Sequence, residues 1–341
     1  MKKKDSKARR REAMSQGTVL WLAFPVFVVI VAALMTGELP QDPAQLLFAS
    51  DDCSGDECAP EFVVGADAVV PENVPVACGG LGDGTAYVSN AVPGPLTAPA
   101  AVVLDQTTGE VLYDQNAHQV RAPASLTKIA TALVTLDRAD LDAYVDVDVD
   151  GAELARETDS TVMGLSPGQE MSVRDLLYGL LLPSGNDAAI ALADYVAGQT
   201  PAFADLMNQK VAELGLSETH FANPHGLDDP AHYTSAYDIA MLGRELMAHP
   251  QLAEIVGTRV YWPSWDGPRI WNGNRLLGVY TGVTGAKTGY TDEAGQTIVA
   301  TAERDGIQLV VAVLGSTDVY ADAVQLLDWG FTSSPACSQG G

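Results

Sequence analysis

The chain has 341 residues, and 47% of them are hydrophobic, a proportion typical of a globular protein with a large packed core. This composition excludes disorder throughout the chain. The formal net charge is −25, although seven of the 19 Lys and Arg residues stand within the first 11 positions. The rest of the chain is therefore strongly acidic and would repel phosphate backbones, so we expect no nucleic acid among its partners.

The first elements in chain order are a basic head, residues 1–17, and an apolar segment over residues 18–36. Nineteen such residues can cross roughly 30 Å of hydrocarbon as a helix, which predicts a transmembrane anchor. The basic head predicts that everything after the anchor lies outside the cytoplasm, in a single-pass protein of the cell membrane. The alternative is a cleaved signal peptide with a small-residue site at residues 31–33, which would leave a secreted protein.

A spacer follows over residues 37–96, where prolines, acids and glycines replace any apolar periodicity. The four cysteines, Cys53, Cys58, Cys78 and Cys337, all follow the apolar segment, so export would place them where disulfides persist. Four cysteines allow three pairings, of which we favour Cys53 with Cys58 and Cys78 with Cys337. The Cys-x4-Cys spacing without a nearby histidine fits a metal site poorly.

The elements predicted after residue 97 place strands at the ends of a domain and helices in its middle. Apolar runs at residues 101–104 and 111–113 flank a glycine turn and predict a hairpin. Helical patterns follow at residues 125–137, 172–182, 186–196, 201–214 and 235–247. Two β-rich runs, 296–302 and 307–314, precede a closing helix at 321–329. We therefore predict an α+β domain over residues 97–332, with one antiparallel sheet built from both ends around an inserted helical cluster, and a tail over 333–341.

The first motif that carries chemistry is Ser-x-x-Lys, formed by Ser125 and Lys128 at the start of a predicted helix. A spacing of three brings both side chains to one helix face, where the amine could take the proton of the hydroxyl if burial and a neighbouring cation lower its pKa. The helix N-terminus would add N–H groups near the developing negative charge. Such a motif occurs about once by chance in a chain of this length, so it predicts little alone.

Two further motifs follow in the chain. Ser-Gly-Asn at residues 184–186 lies between two predicted helices, and its simplest interpretation is a helix break capped by Asn186 or Asp187. Lys-Thr-Gly at residues 287–289 precedes the last predicted hairpin. Its glycine would let a ligand approach the backbone, and its lysine and threonine could hold a carboxylate. The alternative is a tight turn with an exposed lysine.

Together and in this order, the three motifs resemble those of the penicillin-recognising serine enzymes. The sequence in and around the motifs is most similar to that of the low-molecular-mass D-alanyl-D-alanine carboxypeptidases, at residues 124–128, 184–189, 223–227, 232–236 and 287–291. The resemblance covers about residues 97–332 and implies a β-lactamase/transpeptidase-like fold. It also implies that peptidoglycan stem peptides are the substrates, that β-lactam antibiotics are inhibitors, and that neither a cofactor nor a metal is required.

The resemblance implies a catalytic role for four residues. Ser125 would attack the carbonyl between two D-alanines while Lys128 accepts its proton, and Lys287 would help to lower the pKa of Lys128. Ser184 would pass a proton to the leaving amine, and Asn186 would orient Lys128 and the substrate amide. The enzyme expected on this basis is a serine-type D-Ala-D-Ala carboxypeptidase that works through an acyl-enzyme.

Substrate binding is implied for the stretch from Lys287 through Thr288 and Gly289 to Tyr290. Lys287 and Thr288 would bind the terminal carboxylate of the substrate. The backbone N–H groups of Ser125 and Tyr290 would form the oxyanion hole.

One other function uses the same fold and motifs, and two further functions fit the motifs less well. A DD-endopeptidase that cleaves peptidoglycan cross-links has the same fold and motifs and is the main alternative. A class A β-lactamase would have Ser-Asp-Asn as its second motif and a glutamate in Glu-x-x-Leu-Asn, which residues 218–222 do not match. A penicillin-sensing or wall-binding module would have no need of Lys128, Asn186 and Lys287.

Two groups of side chains invite other interpretations. Three histidines lie within thirteen residues but form no helical i, i+4 pair beside a glutamate, so we favour structural roles over zinc binding. These are His220, His225 and His232. Three tryptophans before the third motif could stack on glycan, although aromatic residues more often pack a flap against a core. These are Trp262, Trp265 and Trp271.

Overall fold

The structure is a computed structural model that describes residues 95–265 and 267–333. The predicted basic head and apolar segment, nearly all of the spacer, the four cysteines and residues 334–341 of the predicted tail lie outside these residues. The transmembrane helix and the disulfide pairing therefore stay predictions. Within the described ranges, no helix combines the length and the apolar character needed to cross a membrane.

The described chain is a series of strands and helices in a mixed order. It begins with β1 (Ala100–Asp105), β2 (Val111–Gln115), a 3₁₀ turn (Ala124–Thr127) and α1 (Lys128–Arg138). It continues with β3 (Tyr144–Asp146), α2 (Gly151–Thr158), β4 (Glu170–Ser172), α3 (Val173–Leu181), α4 (Asn186–Ala197), α5 (Thr200–Glu213), α6 (Ala236–Ala248) and α7 (Pro250–Gly257). It ends with β5 (Val260–Tyr261), β6 (Ile270–Trp271), β7 (Val283–Thr291), β8 (Gly295–Arg304), β9 (Ile307–Ser316) and α8 (Val319–Ser333).

The main sheet has five antiparallel strands in the order β2-β1-β9-β8-β7. Ala100 of the first strand lies opposite Leu314 of the last, so the sheet joins the two ends of the domain. The predicted α+β fold with its sheet assembled from both ends is confirmed. Strand β7 lies at the sheet edge, so one side of its backbone is not paired within the sheet.

The central strands bury both of their faces. On β1, Val102 and Leu104 pack against the helical cluster, whereas Ala101 and Val103 belong to a second core with Leu326 of α8. Successive side chains of a strand point to opposite faces, so a strand covered on both sides must be apolar at every position. This packing explains the uninterrupted apolar runs in the sequence of β1 and β9.

The helix and strand predictions hold for most of the strongly patterned segments, within one to four residues at each end. Helices α2 and α7 and the short strands β3 to β6 were not predicted. Helix α2 has only eight residues and buries only its first, Gly151, so it is too short to repeat an apolar pattern over several turns. The Lys-Thr-Gly motif lies within strand β7 rather than in a turn, because sheet pairing with β8 overrides the weak strand propensity of a glycine-rich stretch.

Candidate active site

The serine of the first motif lies in a strained turn directly before α1. We call residues 123–127 the Ser125 turn. Ser125 lies in the 3₁₀ turn rather than in the first α-helical turn that the sequence predicted. Ala124 has a positive φ of 50°, which is uncommon for a residue with a side chain. Gly226 packs against this turn so closely that a Cβ added there would lie 2.0 Å from the Ala124 carbonyl oxygen. A larger residue at 226 would displace the turn.

The amine of Lys128 contacts three oxygens. Its Nζ lies 2.8 Å from Ser125 Oγ, 2.7 Å from Asn186 Oδ1 and 2.6 Å from the carbonyl oxygen of His225. The predicted meeting of the hydroxyl and amine of the Ser-x-x-Lys motif is therefore present. The structure adds a contact that the spacing could not predict, since His225 lies 97 residues away from Lys128.

The surroundings of Lys128 favour its neutral form. The side chain is fully buried. Burial lowers its pKa well below the usual value of 10.5, and the nearby Lys287 lowers it further, against a smaller opposite effect of Asp187. A buried lysine with a lowered pKa can act as a base near neutral pH.

The second motif lies at the start of α4. Asn186 is the first helical residue and Gly185 is the N-cap, so the interpretation of Asn186 or Asp187 as the cap was wrong. Asn186 is buried, and its Oδ1 faces Lys128. Ser184 has a positive φ of 72°, and its buried Oγ has no hydrogen-bond partner in the described part of the chain. The hydroxyl of Ser184 is thus held at the cleft by the backbone alone.

The third motif lies along the edge strand β7. Lys287 is buried with 2% exposure, which excludes the alternative of an exposed lysine on a turn. Burial lowers the pKa of Lys287 to about 7, and its Nζ donates to the Thr288 carbonyl oxygen at 2.7 Å. A Cβ added to Gly289 would lie 2.8 Å from the Ser125 nitrogen, so glycine is required where β7 passes the Ser125 turn. Tyr290 follows and is mostly exposed.

The three motifs border one cleft of about 790 Å³. From the first and second motifs, Ser125, Ser184 and Asn186 line it. From β7, the lining residues are Thr288, Gly289, Tyr290 and Thr291. Of the predicted site residues, the two lysines are the ones that do not line the cleft, because both are buried. The structure therefore brings together all eight residues that the sequence singled out.

Asp187 binds the segment that follows cleft residues 158–161, whereas the sequence indicated no role for it beyond that of a cap. Its fully buried carboxylate accepts hydrogen bonds from four backbone N–H groups at 2.8–2.9 Å. The donors are Met163, Gly164, Leu165 and Ala188. These bonds satisfy the buried charge and fix the segment that follows the cleft residues 158–161.

His232 supports the Ser125 turn from behind, which sequence reasoning missed. Its Nδ1 accepts from the Ala222 N–H at 3.0 Å, so the neutral ring carries its proton on Nε2 and donates to Thr127 Oγ1 at 2.7 Å. Thr127 Oγ1 in turn donates to the Ala124 carbonyl oxygen at 2.8 Å. Burial, opposed in part by Asp229, lowers the pKa of His232 to about 4.

The surroundings of the histidines and tryptophans bear on the zinc and glycan interpretations. Among the described residues, no group of three or more His, Cys, Asp and Glu side chains could hold a metal ion. Trp265 is partly buried and packs against the helical core, as the flap interpretation predicted. Trp262 and Trp271 differ from it, since both are exposed.

Two histidines with lowered pKa values predict a stability that falls in mild acid. The pKa values of His225 and His232 lie near 3 and 4 in the folded protein and near 6.5 when unfolded. The unfolded chain therefore binds more protons between pH 6.5 and 4, and the free energy of unfolding decreases as the pH falls through this window. Each histidine contributes a loss of about 2 kcal/mol at pH 5.

Urea unfolding of the wild type and of His232→Gln at pH 5 and pH 7.5 measures this contribution. The glutamine can still donate to Thr127 but does not titrate, so the difference between the two pH values should shrink by about 2 kcal/mol in the variant. An equal pH dependence in both proteins would contradict the neutral, buried state of His232.

Comparison with known proteins gives consistent matches. A family model described as D-alanyl-D-alanine carboxypeptidase matches residues 87–318, more than half of the chain. The chain is 37% identical over 242 residues to the D-alanyl-D-alanine carboxypeptidase DacF of Bacillus subtilis, covering 69% of this chain and 62% of the relative. It is 38% identical over 249 residues to DacB2 of Mycobacterium tuberculosis, covering 70% and 84%. The chain thus spans less than two thirds of the length of some curated relatives, DacF among them.

Solved structures show the same similarity. The D-alanyl-D-alanine carboxypeptidase of Mycobacterium tuberculosis H37Rv has a TM-score of 0.66 at 36% identity, covering 72% of this chain and 94% of that one. The Streptomyces K15 DD-transpeptidase has a TM-score of 0.67 at 31% identity, covering 71% and 99%. These matches agree with the antiparallel sheet and inserted helices described above.

Proposed function

We propose, since the chain belongs to the D-alanyl-D-alanine carboxypeptidase family, that this protein is a serine-type D-Ala-D-Ala carboxypeptidase. It would remove the terminal D-alanine from peptidoglycan stem peptides through an acyl-enzyme on Ser125, and penicillin would block it by acylating the same oxygen. The observation that carries the proposal is the buried Lys128 amine, 2.8 Å from Ser125 Oγ, in a cleft bordered by all three motifs.

The base of the reaction is neutral Lys128. A neutral amine has two N–H groups and one lone pair. The carbonyl oxygens of Asn186 and His225 accept the two N–H groups, at 2.7 and 2.6 Å, which leaves the lone pair for the hydroxyl proton of Ser125. The three contacts thus orient the amine for proton removal, and burial keeps it free of a proton before the reaction.

Acylation then follows from the positions of the other groups. Ser125 Oγ forms a bond to the carbonyl carbon between the two D-alanines as its proton passes to Lys128. The negative charge on the substrate oxygen would be stabilised by the N–H groups of Ser125 and Tyr290, which Gly289 allows to come close. Ser184 Oγ, buried at the cleft without a partner among the described residues, would pass the proton held by Lys128 to the leaving nitrogen as the C–N bond breaks, which returns Lys128 to its neutral form.

Substrate binding and turnover complete the cycle. The terminal carboxylate of the substrate would lie against the ammonium of Lys287 and the hydroxyl of Thr288, and its negative charge would favour the protonated form of Lys287. After D-alanine leaves, water attacks the ester on Ser125 as Lys128 takes its proton. The bond between the acyl carbon and Ser125 Oγ then breaks as Lys128 gives this proton to that oxygen, which restores the free serine and releases the shortened stem peptide.

Intact-protein mass spectrometry with penicillin tests the nucleophile. We expect one covalent adduct on the full-length wild type, none on Ser125→Ala, and a rate of D-alanine release from diacetyl-Lys-D-Ala-D-Ala that falls at least about 10³-fold in the variant. Ser166→Ala, an exposed serine outside the cleft, is the matched control and should form the adduct. An adduct on Ser125→Ala would overturn the assignment. An adduct without D-alanine release, with cleavage of cross-linked peptides instead, would favour the DD-endopeptidase.

The pH dependence of the rate tests Lys287. Its pKa near 7 predicts that kcat/KM falls as the pH rises through about 7, because the group that binds the carboxylate loses its charge. The bound carboxylate stabilises the ammonium of Lys287, so the decrease in kcat should occur at a higher pH than the decrease in kcat/KM. In Lys287→Arg the cation persists at all these pH values, and the decrease in kcat/KM should move to higher pH even where the maximal rate is lower. If kcat/KM falls at the same pH in the variant as in the wild type, Lys287 does not have this role.

We also propose that residues 18–36 anchor the enzyme in the cell membrane with its domain outside the cytoplasm, as the charge pattern indicates. In cells that express the full chain, the protein should sediment with membranes, resist extraction by alkaline carbonate and be digested by protease added to spheroplasts. Release into the medium with a new N-terminus near residue 34 would instead identify a cleaved signal peptide.

A further inference from the structure

The two-stranded ribbon formed by β5 and β6 has one covered face. Val260 pairs with Trp271, and Tyr261 pairs with Ile270, so the two pairs point to opposite sides of the ribbon. Ile270 is buried, and the ring of Tyr261 stacks on Tyr178 with centroids 3.6 Å apart. These contacts attach the Tyr261 side of the ribbon firmly to the helical core.

The opposite side of the ribbon is open to solvent. We call it the aromatic face, and its residues are Val260, Trp262, Arg269 and Trp271. Trp262 and Trp271 expose 63% and 54% of their surface, although tryptophan is usually well buried in a folded protein. The guanidinium of Arg269 lies 3.7 Å from the Trp262 ring centroid, so it is held over this face. Exposed aromatic side chains grouped in this way mark binding surfaces.

The aromatic face is joined directly to the wall of the cleft. After Trp271, the Asn272 side chain donates to the carbonyl oxygens of residues 256 and 258 at 3.1 and 3.0 Å. Gly273 then lines the cleft, and its N–H donates to the Leu182 carbonyl oxygen at 2.9 Å. A Cβ at Gly273 would lie 3.9 Å from Thr288 Oγ1. Two residues span at most about 7 Å, so the aromatic face begins within that distance of Gly273, which itself adjoins the carboxylate-binding motif.

We propose that the aromatic face binds the glycan strand to which the stem peptide is attached. This inference rests on the proposed function, which places the end of that peptide in the adjoining cleft. At about 3.5 Å per residue, a peptide of a few residues is long enough to leave the cleft and reach this face. The face would therefore act as a specificity site that distinguishes glycan-linked substrates from free peptides.

A saccharide fits the chemistry of this face better than other polymers. The C–H groups of a pyranose ring form a flat apolar surface that matches the electron-rich face of an indole. Arg269, which lies over the Trp262 ring, supplies N–H donors for the hydroxyl oxygens of the sugar. The net charge of −25 disfavours nucleic acid, as noted above.

The experiment compares two substrates with the full-length enzyme. One is diacetyl-Lys-D-Ala-D-Ala, and the other is a soluble, uncross-linked glycan fragment that carries intact stem peptides. In Trp262→Ala/Trp271→Ala, kcat/KM for the glycan fragment should fall about 10-fold, through KM, while the free peptide is cleaved as by the wild type. Trp271→Phe should retain most of the wild-type value. Tyr144→Ala, which removes a 64% exposed aromatic ring outside the cleft lining, is the matched control.

The two proposals fail in different ways. If the ratio of kcat/KM for the glycan fragment to kcat/KM for the free peptide is the same in the double variant as in the wild type, the glycan site is overturned and the carboxypeptidase assignment stands. If the wild type releases no D-alanine from the free peptide, the proposed function fails, and calorimetric titration with a β-1,4-linked N-acetylglucosamine tetrasaccharide decides the glycan site by itself. Binding by the wild type that is lost in the double variant supports the site, and no binding by the wild type overturns it.

Discussion

Burial of two lysines within reach of each other's charge is the constraint on which the site depends. Removing an ammonium from water is costly, and two such cations in one place also repel each other. Lys128 and Lys287 relieve this cost differently. Lys287 has a pKa near 7, whereas burial and the charge of Lys287 lower the pKa of Lys128 well below its usual value. In the proposed acylation, Lys128 would serve as the base and Lys287 as the carboxylate-binding cation beside it.

The fold maintains this arrangement through backbone contacts rather than through ion pairs. The Ser125 turn is held between Gly226 on one side and Gly289 of the edge strand on the other. His232 and Thr127 extend this support by fixing the Ala124 carbonyl oxygen. Because β7 is an edge strand, it can face the serine and a bound substrate at once. The same wall continues through Gly273 to the aromatic face, where the glycan strand is proposed to bind.

Prediction from sequence succeeded where a physical pattern was strong and local. The β1/β2 hairpin, the helices with apolar stripes and the last hairpin follow from periodicity and turn residues. Helix α2 was missed because its eight residues are too few to repeat an apolar pattern, and the strand position of Lys287 was missed because pairing with β8 decides it. Asp187 and His232 were not identified as supports. Besides the adjacent Ala188, Asp187 binds N–H groups 22 to 24 residues away, and His232 binds Thr127, 105 residues away.

The sequence by itself determined the chemical groups: three motifs in a fixed order, a serine three residues before a lysine, and apolar runs sufficient for a two-sided sheet. The sequence could not determine the protonation state of those groups. Whether Lys128 is neutral depends on its burial and on Lys287, which lies 159 positions later in the printed sequence. Electrostatic interactions and desolvation depend on distances in space, so only the tertiary structure decided that both lysines are buried and that the pKa of each is lowered.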